Sequence, residues 1–368
     1  MRIDQLECSH FRNINTCSLT FYDGIHIFHG KNGQGKTNLL ESIYYLAITK
    51  SFRQVNEKKL VQLGHHSFEI KSSLKKSDGQ YRVRAYWDEQ HKKNFWLNNT
   101  KIDKIKDFIG FIPVVILVPD DLSITQGGPQ QRRRYMDVLL SQSSTKYLNQ
   151  LMKYRNLLKS RYSLFQQEQP DSLLVETITT QLAETAFSII QERIRFIQWL
   201  KDQITPLYNS ISGRNDLIKL HYLTSFKHID LTNKDALVEF WLNRIPEELE
   251  KRRSACGIHL DDFMIYLNGK AIRNFGSQGE NKTMVIALKI AEYHYLQQSK
   301  EDKPLLLFDD IFGELDGLRI NKMLHVLEQI GQVFITTASR DFFNKLDISM
   351  ETHFYSVENG HVYEEASA

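Results

Sequence analysis

Three regimes of hydrophobic patterning follow one another along the chain. Over about the first 120 residues, short apolar runs between turns predict strands at Arg2–Phe11, Cys17–Phe21 and Ile25–Gly30, then one helix from Thr37 to Thr49. Ser67–Leu74, Tyr81–Asp88 and Phe95–Asn98 resemble an antiparallel meander, with Ser77-Asp78-Gly79 as a turn. The continuous apolar run Val114–Val118 has the pattern of a strand buried on both faces. From Pro129 the period changes to that of a helix. Tyr147, Leu151, Tyr154 and Leu158 form one stripe, and Leu174, Ile178, Leu182, Ala186, Ile189, Ile194, Ile197, Ile204 and Leu207 form a second. Pro170-Asp171-Ser172 between them supplies a turn and an N-cap, so an antiparallel helical hairpin is expected. Ile218–Leu223 reads as a strand, and Asp235–Arg253 as helix that Pro246 either breaks or restarts. The last hundred residues alternate: strand Phe263–Leu267, helix Lys282–Gln297, strand Pro304–Asp310, helix Arg319–Ile330 and strand Val333–Thr337. That alternation predicts a parallel sheet covered by helices, hence an α/β fold built from both ends of the chain with the hairpin inserted between.

Against this pattern one segment carries specific chemistry. Gly30-Lys31-Asn32-Gly33-Gln34-Gly35-Lys36-Thr37 fits G-x-x-x-x-G-K-[ST], and it lies between the strand Ile25–Phe28 and the helix opened by Asn38. Glycines let the backbone curl until its N–H groups converge on phosphate oxygens, and the following helix N-terminus adds positive potential. Lys36 is the expected partner of the β- and γ-phosphates, and the Thr37 hydroxyl of a Mg²⁺ ion. The loop therefore predicts a nucleoside triphosphate ligand.

Composition narrows the class. At 368 residues the chain exceeds one comfortable core, so two domains are expected. No apolar run reaches the roughly 18 residues that span a bilayer, and the N-terminus reads as a strand rather than a signal peptide. Cys8, Cys17 and Cys256 are too few and scattered for a disulfide framework, which fits a cytoplasmic location. Cys256 and His259 have a C-x-x-H spacing with no second ligand pair, so no metal site is expected there. A formal charge of only +3 makes the molecule no polycation. Its cations nevertheless cluster at Arg132-Arg133-Arg134, at Lys153, Arg155, Lys159 and Arg161, and at Lys251-Arg252-Arg253. Such runs are ordinarily solvated helix faces, and become a nucleic-acid surface only if contiguous in space.

Pro304–Asp310 is an apolar strand ending in Asp309 and Asp310, and a strand delivers its last side chains to the sheet edge where phosphates bind. Asp309 is expected to hold Mg²⁺ directly or through water, and Asp310 to polarise the attacking water. Ser277-Gln278-Gly279-Glu280 opens the helix beginning near Asn281, with residues suited to capping and to close approach of an anion. The series Ser277–Glu280, Asp309-Asp310 and Glu314-Leu315-Asp316 resembles the signature, Walker B and D-loop of ABC-type ATPases. That resemblance implies that the signature caps the γ-phosphate held by a second subunit, in a head-to-tail dimer with two ATP molecules. Phe11-Arg12-Asn13, the loop with Asn32 and Asn38, Pro119-Asp120-Asp121-Leu122, Pro129–Arg133, His259–Asp262 and Phe275–Glu280 occur in an order similar to that of the RecF family, bacterial DNA replication and repair ATPases.

The resemblance covers nearly the whole chain. It implies an ABC-type P-loop ATPase head of 1–125 plus 255–368, with a mixed sheet and helices, and a helical arm of 126–254 in place of a long coiled coil. It further implies ATP and Mg²⁺ as cofactors, an ATP-dependent homodimer on double-stranded or junction DNA, slow hydrolysis, and support of SOS induction. RecR, RecO and RecA are the implied protein partners. Arg12 is implied beside the phosphates, and Arg132 and Arg133 at the start of the arm, with a role at DNA or at the dimer interface; Lys153 and Arg155 of the basic run are further candidate DNA contacts. Three departures are visible: Gly257–Asp262 lacks the proline and arginine of the family's Gly-Pro-His-Arg-Asp-Asp, Pro119-Asp120-Asp121 stands where many ABC enzymes place a glutamine after the central strand, and Thr336–Ser339 contains no switch histidine. Two other readings share these motifs. One is a scaffold using ATP only as a dimer switch, and the other is a transporter ATPase subunit. The long interval between Gly35 and Gly279, filled by helices, argues against the transporter.

Overall fold

The computed structural model describes residues 1–311, 317–327, 330–340, 343 and 350–365. Packing divides the chain into two compact units. One comprises Met1–Asp121, Ser210–Gly213 and Ile286–Ala368, and the other Leu122–Asn209 and Arg214–Val285. The stretch 255–285 lies in the second unit, so compact packing and the division by function expected from sequence are drawn along different lines.

In chain order the strands of the first half are β1 (Arg2–Phe11), β2 (Ile14–Thr20), β3 (Ile25–His29), β4 (Ser67–Lys76), β5 (Gly79–Asp88), β6 (Lys92–Leu97), β7 (Thr100–Lys101) and β8 (Val114–Leu117). Those of the second half are β9 (Ile218–Leu223), β10 (Asp262–Leu267), β11 (Lys270–Ala271), β12 (Leu305–Asp309), β13 (Val333–Thr337), β14 (Thr352–Glu358) and β15 (His361–Glu364).

The first unit holds two six-stranded sheets, ordered β2-β1-β4-β5-β6-β7 and β15-β14-β3-β13-β12-β8. The first of these is antiparallel, and its strands alternate buried and open positions, as β4 does from Phe68 to Leu74. In the second sheet β14, β3, β13, β12 and β8 are parallel, with β15 added antiparallel. Its strands β8, β12 and β13 are buried at every position, in keeping with their mainly apolar sequences. The helix Lys36–Ile48 shares one core with both sheets: Leu39, Leu40, Ile43 and Tyr45 pack with Phe68 and Phe95 on one side and Leu307 and Phe334 on the other. Buried on ten of its thirteen residues, it is held by tertiary packing rather than by propensity. Gln332 stitches the sheets together, accepting from Ile3 N at 2.8 Å and donating to the Ile3 and Tyr22 carbonyls at 2.9 Å each.

The second unit contains the three-stranded sheet β11-β10-β9, the helices Pro129–Ser143 and Thr145–Phe165, and the helix Ser172–Ser212 as far as Asn209. Asp171 caps the last of these, its Oδ1 accepting from Leu174 N at 3.1 Å. Arg161, fully buried, joins this hairpin to the short helix Ile245–Glu250 through Glu248. It also donates to Thr179 at 2.8 Å and to Ser254 at 3.1 Å, under the rings of Phe165 and Trp241. Pro246 restarts the chain as helix after Lys234–Leu242, because its fixed φ suits a first turn.

Two elements differ from the sequence expectation. Strand β2 begins at Ile14, not Cys17, since Arg12-Asn13 form a two-residue turn closed by the pair Phe11–Ile14. The hairpin β14–β15 was not anticipated, although Asn359-Gly360 between alternating residues is a hairpin signal. No helix among the described residues is long and apolar enough to cross a membrane.

Candidate nucleotide-binding site

The glycine-rich loop leaves the carboxyl end of β3 and enters the helix Lys36–Ile48. Gly30 and Gly35 have φ of 148° and 114°, and both are crowded as well. A Cβ on Gly30 would lie 2.4 Å from the Val357 carbonyl oxygen, and one on Gly35 would lie 2.7 Å from Asn13 Oδ1. Asn13, in the β1–β2 turn, donates to the Gln34 carbonyl at 3.1 Å and accepts from Asn38 Nδ2 at 2.8 Å. From the other side Asn359 N donates to Gln34 Oε1 at 2.6 Å, and Gly360 N to the Gln34 carbonyl at 2.8 Å. Two hairpin turns thus fix the curl of the loop.

Lys36 folds back into its own loop, donating to the carbonyls of Gly30 at 2.6 Å and Lys31 at 3.0 Å. Burial pulls its ammonium below the ordinary value, while Asp310 and Asp309 oppose that shift. Strand register brings the acids here: β12 lies beside β13, and Asp309 stands opposite Thr336. Asp309 Oδ1 accepts from Thr37 Oγ1 at 2.7 Å and from Thr336 Oγ1 at 2.8 Å. Burial raises the Asp309 carboxyl above its ordinary value; the two threonine hydrogen bonds and Arg53 act against that, and Asp310 adds to it. Asp310 is half-buried, has φ of 50°, and donates its N–H to the Thr336 carbonyl at 3.2 Å and hydroxyl at 3.0 Å. Thr37, Lys36, Asp309 and Asp310, remote in sequence, therefore meet at one edge of the parallel sheet. The Thr37 hydroxyl and Asp309 carboxylate are hard oxygen donors at hydrogen-bond distance, a pair that fits Mg²⁺.

Arg12 is held against the loop helix. Its Nε and Nη2 make a bidentate pair with Glu41, 2.9 Å each, and Nη1 donates to the Lys59 carbonyl at 3.0 Å. It anchors the β1–β2 turn to the loop helix rather than pointing freely at the loop. Arg53, unremarked in the sequence, donates to Asn38 Oδ1 at 3.0 Å and lies 3.6 Å from Glu41. Nothing in local spacing tied it to the loop.

In the second unit, Ser277 begins the helix Gln278–Lys300 with a reciprocal capping box: Glu280 N donates to Ser277 Oγ at 3.3 Å, and Ser277 N to Glu280 Oε2 at 2.8 Å. Asn281 braces the turn by donating to the carbonyls of Gly276 and Ser277 at 2.9 and 2.8 Å. Ser277 and Gln278 are exposed, Gly279 and Glu280 half-buried. Glu314-Leu315-Asp316 lie outside the described residues.

The candidate DNA contacts separate into two kinds. Arg132 is only 2% exposed and is locked to Asp262 by bonds of 2.6 and 2.9 Å, with a further donation to the Gly127 carbonyl at 3.0 Å. It is a structural cation, not a free phosphate contact, and that expectation is corrected. Arg133, half-buried, donates to the Asp261 carbonyl at 2.7 Å. Arg155 keeps an exposed side chain 3.2 Å from Asp137, and Lys153 is exposed. The carboxylates of the divergent segment are thus taken by arginines of the helices: Arg193 lies 3.2 Å from Asp261, which Tyr222 also reaches. His259 accepts or donates at 2.7 Å with the Tyr154 hydroxyl, and burial with nearby arginines depresses its pKa to about 4. Leu260, where the family pattern has arginine, is 46% exposed.

The family model of the RecF/RecN/SMC N-terminal domain matches residues 2–362. The chain is 33% identical over 369 residues to the DNA replication and repair protein RecF of Streptococcus suis, covering 99% of this chain and 100% of that protein. The chain belongs to the RecF family. The RecF protein of Enterococcus faecalis is 32% identical over 372 residues, covering 98% of each. A solved structure of the recombination mediator protein RecF-ATPrS in the RecFOR pathway superimposes with a TM-score of 0.91 at 28% identity, covering 99% of this chain and 98% of that one. The corresponding RecF-ATP structure gives 0.89 at 29%, covering 99% and 97%. An SMC head bound to the winged-helix domain of ScpA, at 14% identity and a TM-score of 0.58, shares the fold. In RecF terms the site lies on an ABC-type, SMC-like α/β head carrying long inserted helices.

Proposed function

We propose that this chain is an ATP-driven DNA-repair mediator of the RecF type. ATP with Mg²⁺ binds at Gly30–Asn38, and the ATP-bound state pairs two copies. The observation that carries the reading is the direct contact of Thr37 Oγ1 with Asp309 Oδ1, 2.7 Å, beside a buried Lys36 already inside the loop. Backbone N–H groups of Gly33 to Thr37 and the helix N-terminus hold the phosphates, and Lys36 exchanges its two carbonyl partners for phosphate oxygens. Mg²⁺ at Thr37 and Asp309 would neutralise phosphate charge. Asp310 orients and deprotonates water, and Ser277, Gln278, Gly279 and Glu280 of the partner copy cover the γ-phosphate. Arg12 and Arg53 set the position of the loop helix through Glu41. Functionally, 1–125 with 255–368 act as the ATPase and 126–254 as the arm.

The dimer grips duplex or junction DNA by backbone phosphates, with Lys153, Arg155 and Arg133 as candidate contacts, and acts with RecR and RecO in loading RecA and in SOS induction. Such binding is indifferent to sequence and weakens steeply with salt. Hydrolysis is slow, in keeping with the absence of a histidine at Thr336–Ser339. Sedimentation with and without ATP and duplex DNA tests the reading. A doubling of mass that requires ATP, and DNA binding that follows it, are expected; rapid turnover by a strictly monomeric chain overturns it.

A further inference from the structure

Cys8 and Cys17 stand directly opposite each other in the antiparallel pair β1–β2. The pairing was invisible in sequence spacing, because it depends on the two-residue turn that sets the register. Both thiols are free; Cys8 is 1% exposed and Cys17 is half-buried, packed against the same core. The register places the two side chains on the same face of the hairpin. Opposed residues on one face have Cβ atoms about 4.5–5.5 Å apart, and a disulfide needs about 3.5–4.5 Å. Closing a bridge here therefore takes an approach of about an ångström within one hairpin.

We propose that Cys8 and Cys17 form a reversible cross-strand disulfide under peroxide, an oxidative modification site in the hairpin that holds the glycine-rich loop. The roles of the two differ. Cys17 is the more accessible, and the hydrogen bond from Cys8 holds its thiol below the ordinary value, whereas that same bond and burial drive the Cys8 thiol well above it. Cys17 thiolate attacks hydrogen peroxide, breaking the O–O bond to give Cys17 sulfenic acid and hydroxide. The Cys8 sulfur then displaces the sulfenic oxygen, which leaves as water with the Cys8 proton. Two thiols lose two electrons in all, and peroxide gains them.

The link to the site runs through the turn at the hairpin's end. Arg12 and Asn13 lie there, and Asn13 is the residue that fills the space beside Gly35. Bridging the strands displaces this turn against the loop. The effect on nucleotide rests on the proposed ATP-binding reading; the bridge itself does not.

The test treats the full chain with hydrogen peroxide, quenches, alkylates under denaturing conditions and maps peptides by mass spectrometry. The expected product is a Cys8–Cys17 peptide lacking two hydrogens and restored by dithiothreitol, with Cys256 still alkylated. Cys17→Ser, at a half-buried position, yields no such product. Sulfinic acid at Cys17 without a bridge, or two alkylated cysteines in a chain whose circular dichroism is native, overturns the proposal. ATP titration of the oxidised parent is expected to show affinity lowered about fivefold, with peroxide-treated Cys17→Ser unchanged. A bridge with unaltered ATP affinity refutes the link to the loop. A reduced parent that binds no ATP refutes the nucleotide reading and leaves the bridge standing.

Discussion

Replacing Arg132 by alanine separates a structural role from a DNA-binding one. Both nitrogens of the guanidinium edge meet Asp262 at 2.6 and 2.9 Å, and the side-chain exposures are 2% and 13%. Truncation leaves Asp262 charged and nearly dry, and breaking a buried pair from one side costs about 3–5 kcal/mol. Melting should fall by roughly 10 °C, from about 2–4 °C per kcal/mol in chains of this kind. The exposed Lys153→Ala should stay within about 0.5 kcal/mol of the parent. A cycle with Asp262→Asn isolates the pair, since removing both partners should recover on the order of 2 kcal/mol of the summed single losses. Urea and thermal unfolding by circular dichroism read these values. A phosphate-contacting role predicts the opposite pattern in duplex-DNA titrations. A lost phosphate contact lowers the salt slope by about 1 without changing stability. Arg132→Ala that melts with the parent while its salt slope drops would refute the structural assignment.

Other predictions concern the site and one buried acid. Lys36→Ala removes the buried side-chain ammonium of the loop, so ATP affinity should fall about a hundredfold or more, roughly 3 kcal/mol for a charge-assisted contact; calorimetry showing unchanged affinity would contradict the loop assignment. Ser277→Arg should leave ATP binding intact and abolish the ATP-driven dimer, which light scattering would report. Asp310→Asn should slow phosphate release at least tenfold and prolong DNA residence, and parental turnover would remove Asp310 from the reaction. Burial, with Asp121 nearby, pushes the Glu292 carboxyl to about 7 against the pull of Lys289. Between the ordinary carboxyl value and about 7 the folded chain keeps a proton that the unfolded chain has lost, so stability should fall with rising pH by on the order of 3 kcal/mol. Glu292→Gln should remove that fall, and an unchanged pH profile of urea unfolding would show that Glu292 does not cause it.

What the sequence revealed, and what it hid, follows from the range of the interactions. The loop, the apolar strand ending at Asp309 and the helical stripes are local patterns, and each reads directly from period or spacing. The meeting of Thr37 with Asp309 was legible only as chemistry, because it depends on β13 lying between β12 and β3 in parallel register. The supports of the loop were not legible at all. Asn13, Asn359 and Gly360 act through turn geometry on backbone atoms of Gln34, and a turn residue looks the same in sequence whether it faces solvent or a phosphate loop. Charge was the least reliable guide. Arg132 and Arg155 lie in similar basic runs, yet one is locked on Asp262 and the other keeps an exposed side chain. The carboxylate that locks Arg132 lies 130 residues away, so only the fold can distinguish a cation that holds the protein together from one that stays exposed to solvent.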